Sequence, residues 1–362
     1  MHAFIGTVPF TIFEAVHFVI TNNIQDADLY VVKVFNNAES VGKRLDETGV
    51  FRNVFIVDDV LLTYPITLKK CLSVLKNSRI LLKMLAKKKY EAVYYNNSGW
   101  LINSIFYTGC YKGNKNVKNI FLEHGYYSYT QDYMDKPWYL RSLIKGVGLK
   151  CMDGSMLDEL YLFHPELMTV ESHCIIKKMP PIDTENRRFV EALNYAFDYD
   201  INNNEYETKD IVIIEQGPQK YDFDKEKFWN DILKNLDLER TIIKPHPRQK
   251  NSSLQNCGCQ ISKNFTIPWE VEILNSEIQN KIQLTIFSGA CISPKLLFDK
   301  EPIVILLYKL LPVDSSLWGQ GMLDFSDRVG AIYRDKDRYF VPETMEELRR
   351  FFEKNGMERK DS

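Results

Sequence analysis

"TIIKPHPRQK", residues 241–250, decides how the rest of the chain is read. Thr241 to Ile243 is β-branched, so it reads as a short buried strand. Lys244, Pro245, His246, Pro247 and Arg248 follow directly, placing one imidazole between two prolines with a cation on either side. Pro245 fixes its own φ, and Pro247 biases His246 toward an extended conformation. If a helix begins here, Pro247 suits its first turn. An imidazole held rigidly at a strand tip beside two cations is well placed for a phosphate. The plainer alternative is a Pro-rich connection carrying an exposed His.

Similar strands flank this one. "IVIIEQG" (211–217) precedes it, and "LTIFSGA" (284–290) and "PIVILLY" (302–308) follow. The front of the chain carries "HAFIG" (2–6), "LYVVKVF" (29–35), "NVFIVDD" (53–59), "EAVYYNN" (91–97) and "NIFLEHG" (119–125). Helical spacing fills several gaps: 11–22 after Pro9, 66–89 with Leu68, Leu72, Leu75, Ile80 and Leu85 on one side and Lys on the other, and 224–236. Strand alternating with helix predicts parallel α/β sheets. The polar stretch "YAFDYDINNNEYETKD" (195–210) reads as a linker between two α/β halves. Domains are therefore expected at 1–195 and 210–342. A C-terminal helical segment at 343–362 follows, its helical pattern at 344–354 capped by Thr344 with Glu347 three residues on, and is expected to pack back on the first domain. Two such halves suggest an enzyme with a cleft between them, its ligands beyond the carboxyl ends of strands.

The 362 residues, 45% hydrophobic, are enough for more than one buried core. A net charge of −2 argues against nucleic-acid binding. Seven dispersed Cys, with Cys257-Gly-Cys259 the only close pair, read as reduced thiols in a cytoplasmic protein. The apolar N-terminus is interrupted by His2, Pro9, Glu14 and His17, so it reads as neither a signal peptide nor a membrane span. There is no P-loop, GxGxxG or GxSxG, and no metal-ligand spacing among the six His. Residues 83–89, with Lys83 and Lys87 to Lys89, read as a solvated helix end.

Other candidate site residues also lie just past strand ends. In "LEHGYYSY", Gly125 permits a tight turn and Glu123 stands at the strand tip as a candidate general base, with His124 beside it. A solvated turn is the alternative. Ser288 and Gly289 open an apolar helical run whose N–H groups would suit an anion, although Ser-Gly turns before helices are common. Gln216 and Gly217 end a strand and either approach a nucleotide or form a plain turn. In "IPWEVEIL", Glu270 either accepts hydrogen bonds from a ribose diol or, with Glu272, forms an exposed first helical turn.

Glu-x-Gly at a strand tip, Lys-Pro-His-Pro-Arg, a later Pro-x-Glu and a Ser at a strand end follow in an order that resembles the bacterial sialyltransferases of glycosyltransferase family 52 and the related bacterial polysialyltransferases. "IGTVPFTIFEAVHFV" and "FHPELM" (163–168) resemble the same group. The resemblance spans most of the chain through short motifs, of which His-Pro is the most specific. It implies a GT-B fold: two Rossmann-like parallel-sheet domains facing a cleft. It also implies Glu123 as base, His246 on the donor phosphate, Ser288 as a further phosphate contact and Glu270 on the ribose. Lys244, Pro247, Arg248, Gly289, Gln216 and Gly217 would complete the donor site. Two residues depart from the pattern: His124 replaces a second acid and Gly289 a second Ser.

The implied chemistry is inverting transfer of sialic acid from CMP-sialic acid to a galactoside in surface polysaccharide or lipooligosaccharide synthesis. No metal or other cofactor is required, because cations and N–H groups can absorb the leaving phosphate's charge. The partners are a nucleotide sugar and a glycan acceptor, with no nucleic acid. A homodimer and peripheral contact with the inner face of a membrane, through "LRRFFEK", stay open. So do another donor (CMP-Kdo or a UDP-hexose), a sugar-nucleotide epimerase, and a non-catalytic GT-B partner protein.

Overall fold

The computed structural model describes residues 1–60, 67–95, 100–130, 142, 144–150, 156–216, 223–246, 252, 254–264, 266–312 and 319–358. The chain divides into two compact units, Met1–Tyr199 and Asp200–Ser362, and the division falls inside the polar stretch read as a linker.

The first unit is built on a seven-stranded sheet. Its strands are β1 (His2–Gly6), β2 (Ala27–Val32), β3 (Asn53–Val57), β4 (Ala92–Tyr95), β5 (Lys118–Leu122), β6 (Glu159–Leu162) and β7 (Ile175–Lys178). They lie in the order β3-β2-β1-β4-β5-β6-β7, and every neighbouring pair is parallel. β2 and β4 are buried along their whole length, as expected for strands covered on both faces. The helices are α1 (Pro9–Thr21), α2 (Ala38–Glu47), α3 (Leu68–Ala86), α4 (Trp100–Gly113), the single turn α5 (Tyr127–Thr130) and α6 (Arg187–Phe197). Gly6 lets α1 turn back closely on β1: a Cβ there would lie 2.7 Å from Ile12 Cγ1. Thr11 Oγ1 ties that corner by accepting from the N–H groups of Thr7 (2.8 Å) and Val8 (3.1 Å).

The second unit repeats the plan with six parallel strands. These are β8 (Ile211–Ile214), β9 (Thr241–Lys244), β10 (Gln260–Ile261), β11 (Ile282–Thr285), β12 (Ile303–Leu306) and β13 (Tyr339–Phe340), in the order β10-β9-β8-β11-β12-β13. Its helices are α7 (Lys225–Leu233), α8 (Trp269–Asn275), α9 (Gly289–Phe298), α10 (Gln320–Ile332) and α11 (Met345–Lys354). Sheet order reverses between β8 and β11, the position where open α/β sheets bind ligands.

Thr344 caps α11 by accepting from Glu347 N, as the sequence predicts. Within the second unit this helix is anchored through buried Leu348 and Phe352 and through its neighbours. Phe351 stacks on Phe340 at 4.3 Å, and just beyond the helix Met357 O accepts from Asp237 N and Gly356 O from Arg240 Nη1. α3 also departs from expectation. Val74, Leu81 and Leu85 are buried, whereas Leu68, Leu72, Leu75 and Ile80, read as part of its apolar face, are exposed.

Candidate active site

Glu123 directly follows β5, which pairs with β4 in the first sheet. Gly125 takes φ +61° and a Cβ there would meet nothing within 4 Å, so conformation rather than space requires the glycine. That residue starts the turn into α5: Ser128 N bonds Gly125 O at 3.0 Å, and Ser128 Oγ accepts from His124 N at 2.6 Å. The turn brings Tyr129 back over the carboxylate.

The Glu123 side chain is 1% exposed. Its Oε2 accepts from the Tyr129 hydroxyl and from Phe163 N at 2.9 Å, Phe163 being the residue directly after β6. Both bonds fall on one oxygen, and Oε1 has no hydrogen bond among the described residues. Nor does any cation among them neutralise the group. Burial raises its pKa, Tyr129 and the Phe163 N–H pull it back in part, and it stands at about 7. A carboxylate anchored through one oxygen and titrating near neutrality fits a general base.

Tyr129 and the Phe163 N–H were not singled out by sequence reasoning. Tyr129 stands in the quoted "LEHGYYSY", but only the tight turn at Gly125 shows that it returns to the acid. Phe163 opens "FHPELM", forty residues downstream, and acts through its backbone, which leaves no mark in residue type. His124 contributes its N–H to the turn, and its ring lies 6.4 Å from that of Phe10.

In the second unit the expected residues gather at the carboxyl edge of three adjacent strands. Gln216 follows β8, Ser288 follows β11, and His246, half-buried, follows β9 on the far side of β8. Gln216 Nε2 donates to the Phe287 carbonyl, joining the two strand tips at the reversal point. Ser288 caps α9: its Oγ accepts from Ala290 N at 3.3 Å, and its own proton has no acceptor among the described residues. Gly289 is the first residue of that helix, where backbone N–H groups lack an intrahelical partner.

Glu270 is 7% exposed, on α8, which corrects the picture of an exposed acidic turn; Glu272 beside it is 2% exposed. Ser293 Oγ on α9 donates to Glu270 Oε1 at 3.3 Å, and burial raises the Glu270 pKa. Lys244 is likewise placed differently from expectation. It ends β9 with its side chain turned inward, 3% exposed, and Nζ donates to Ile267 O at 3.0 Å. Burial lowers its pKa, and Glu272, Glu270 and Glu205 partly restore it. Lys244 thus positions the loop before α8 instead of presenting a cation at the strand tip. Gly217, Pro247 and Arg248 lie outside the described residues. No group of three or more His, Cys, Asp or Glu side chains among the described residues is placed to hold a metal ion.

Two parallel-sheet units, each with chemistry-bearing residues at the carboxyl edge, define the GT-B glycosyltransferase fold. A 2,6-sialyltransferase from Photobacterium sp. JT-ISH-224, solved with the donor product CMP and the acceptor substrate lactose, superposes with a TM-score of 0.54 at 11% identity, over 91% of this chain and 76% of its own. The kitacinnamycin glycosyltransferase gives 0.51 at 9% identity, over 98% and 90%. The GT-B domain of the Photobacterium damselae sialyltransferase gives 0.49 at 11% identity, over 94% and 99%. None of the curated proteins compared with the chain matches it.

The family is fixed by sequence. Residues 15–299 match the alpha-2,8-polysialyltransferase family, and the chain belongs to it. It is a glycosyltransferase of the sialyltransferase class.

Proposed function

We propose that the protein transfers sialic acid from CMP-sialic acid to a glycan hydroxyl with inversion at the anomeric carbon, without a metal ion. The observation that carries this is the Glu123 carboxyl group, buried, uncompensated by any described cation and titrating near pH 7. In the proposed step Oε1 of ionised Glu123 takes the proton from the acceptor hydroxyl. The hydroxyl oxygen attacks the anomeric carbon, and the bond to the CMP oxygen breaks with its electrons leaving on the phosphate. Tyr129 and the Phe163 N–H hold the acid's other oxygen.

The donor is assigned to the second unit. His246 hydrogen-bonds the departing phosphate, with Ser288 Oγ and the N–H groups opening α9 adding donors where negative charge develops. Gly289 replaces a hydroxyl with a backbone N–H, and Arg248 keeps the cationic role its sequence position suggests. Glu270, held by Ser293, accepts from the ribose diol. Lys244 acts at one remove, through Ile267 and α8. The family description favours an acceptor already ending in sialic acid. A bare galactoside is the second reading, favoured by the lactose bound to the Photobacterium sp. enzyme. Lipooligosaccharide or capsule synthesis in the cytoplasm is the setting such a reaction fits.

The test is turnover of CMP-sialic acid with lactose and with an oligosialic acid, alongside calorimetry of CMP. His246→Ala should weaken CMP binding and turnover together. Wild-type CMP affinity in that variant removes His246 from the phosphate. A thermal-shift screen of CMP, UDP and GDP should single out CMP; stabilisation by UDP alone points to a UDP-hexose donor.

A further inference from the structure

Helix α3 shows two different faces. Val74, Leu81 and Leu85 are buried, at 5%, 0% and 0% exposure, on the side that packs against α4. On the opposite side Leu68 is 77% exposed, Leu72 59%, Leu75 52% and Ile80 49%. Positions 68, 72 and 75 are spaced i, i+4, i+7, so the three leucines form one stripe over the first two turns. Thr67 caps the helix by accepting from Lys70 N at 3.2 Å, which fixes where the stripe begins.

The charge on this helix is as one-sided as its apolar surface. Between Val60 and Tyr90 the sequence holds Lys69, Lys70, Lys76, Arg79, Lys83, Lys87, Lys88 and Lys89 and no Asp or Glu, in a chain whose net charge is −2. Lys88 reaches Asp28 at 3.7 Å. Lys69, Lys76, Arg79 and Lys83, which share the leucines' side of the helix, have no carboxylate within ion-pair distance among the described residues. Leucines interleaved with long cationic side chains make an interfacial amphipathic surface, because the stems can lie along apolar groups while the charged heads reach outward.

We propose that α3 seats the first unit on an anionic lipid surface, with Leu68, Leu72 and Leu75 at the boundary of headgroups and acyl chains and Lys76, Arg79 and Lys83 against lipid phosphates. A soluble polyanion would match the cations but leave the leucines in water. A second copy of the chain would bury the leucines but bring two uncompensated cationic stripes together. An anionic bilayer answers both features at once. Such a surface would hold the enzyme beside lipid-linked acceptors without a membrane-spanning segment, and no helix among the described residues is long and apolar enough to span.

Flotation of the full-length protein with phosphatidylcholine vesicles, with and without phosphatidylglycerol, tests this. The wild type should float with the phosphatidylglycerol vesicles only, and high salt should release it. The triple substitution of Leu68, Leu72 and Leu75 by Ser, and separately that of Lys76, Arg79 and Lys83 by Gln, should each lower partitioning by about tenfold or more while leaving the melting temperature and turnover of a soluble acceptor unchanged. If a variant misfolds, hydrogen exchange on the wild type decides instead: amides of residues 68–80 should slow on phosphatidylglycerol vesicles. The proposal is overturned if the wild type does not float, if residues 68–80 gain no protection, or if oligosialic acid is bound while vesicles are not. A wild-type dimer that the serine variant converts to monomer overturns it in favour of self-association.

Discussion

Glu123 and Glu301 are both buried glutamates, 1% and 3% exposed, yet their surroundings drive them in opposite directions. Burial raises both. At Glu123 only a phenol and a backbone N–H answer it, and the acid stands at about 7. At Glu301, Lys295 approaches to 2.5 Å and Arg334 adds Nε at 3.1 Å and its backbone N–H, so the acid is held down to about 2. The same residue type, with similarly little surface open to solvent, is a fixed anion in one place and a titrating group in the other, the first lying nearer the surface of its unit than the second. What separates them is the charge of the partners, and a site that must exchange a proton is built from neutral ones.

The comparison can be broken by experiment, and the largest expected effect is on turnover. Glu123→Gln keeps both hydrogen-bonding neighbours but cannot accept a proton, so transfer should fall by about a thousandfold while CMP binding is retained. Turnover within a few-fold of wild type removes Glu123 from the base role. Glu301→Gln should leave activity per folded molecule unchanged and instead lower stability by about 1–3 kcal/mol, because buried Lys295 is left with only the exposed Asp299 carboxylate, at 2.6 Å, as its anion. Urea denaturation of the second unit's transition measures it; an unchanged midpoint means the cluster contributes nothing net.

A third effect runs against the usual direction of core mutations. The folded-state pKa of Glu123 lies above the unfolded value near 4.5, so the folded protein binds the proton more tightly. Its stability contribution is full below about pH 4.5 and is lost as pH rises through about 7. Glu123→Gln should therefore be more stable than wild type at pH 8, by about 3 kcal/mol at most, with the difference vanishing toward pH 4.5. Equal melting temperatures at pH 8 contradict the uncompensated burial. The smallest effect is expected from Tyr129→Phe. Its hydroxyl lowers the Glu123 pKa, so removing it should move the acid limb of kcat/KM to higher pH and reduce the rate at neutral pH by a few-fold; a limb that stays in place means the phenol does not tune the acid.

Strands β1 to β5, β8, β9, β11 and β12 were legible because buried parallel strands are near-continuous apolar runs, and the candidate site residues stand at the ends of β5, β8, β9 and β11. The short edge strands β7, β10 and β13 gave no such run; β7, "IIKK", is largely exposed. α4 was missed for another reason. It is buried on several sides, with the polar residues Asn103, Ser104 and Thr108 at 3% exposure or less as well as Ile102, Ile105, Phe106 and Cys110 at 0%, so no polar outer face marks it as an amphipathic helix. In α3 the period was present but pointed to the wrong face, since Leu68, Leu72 and Leu75 form a stripe that the fold leaves uncovered. The inward turn of Lys244 and the return of Tyr129 and Phe163 to Glu123 depend on side-chain direction and on contacts across forty residues, which a linear reading of residue types does not carry.

Glu123 is held to be a neutral-range base because nothing charged compensates it. The pH dependence of kcat/KM for sialyl transfer, measured from pH 5 to 9, tests this most directly. An acid limb that bends near pH 7, with the rate rising as Glu123 ionises, is the expected result. A rate that is already at its plateau by pH 5 contradicts it.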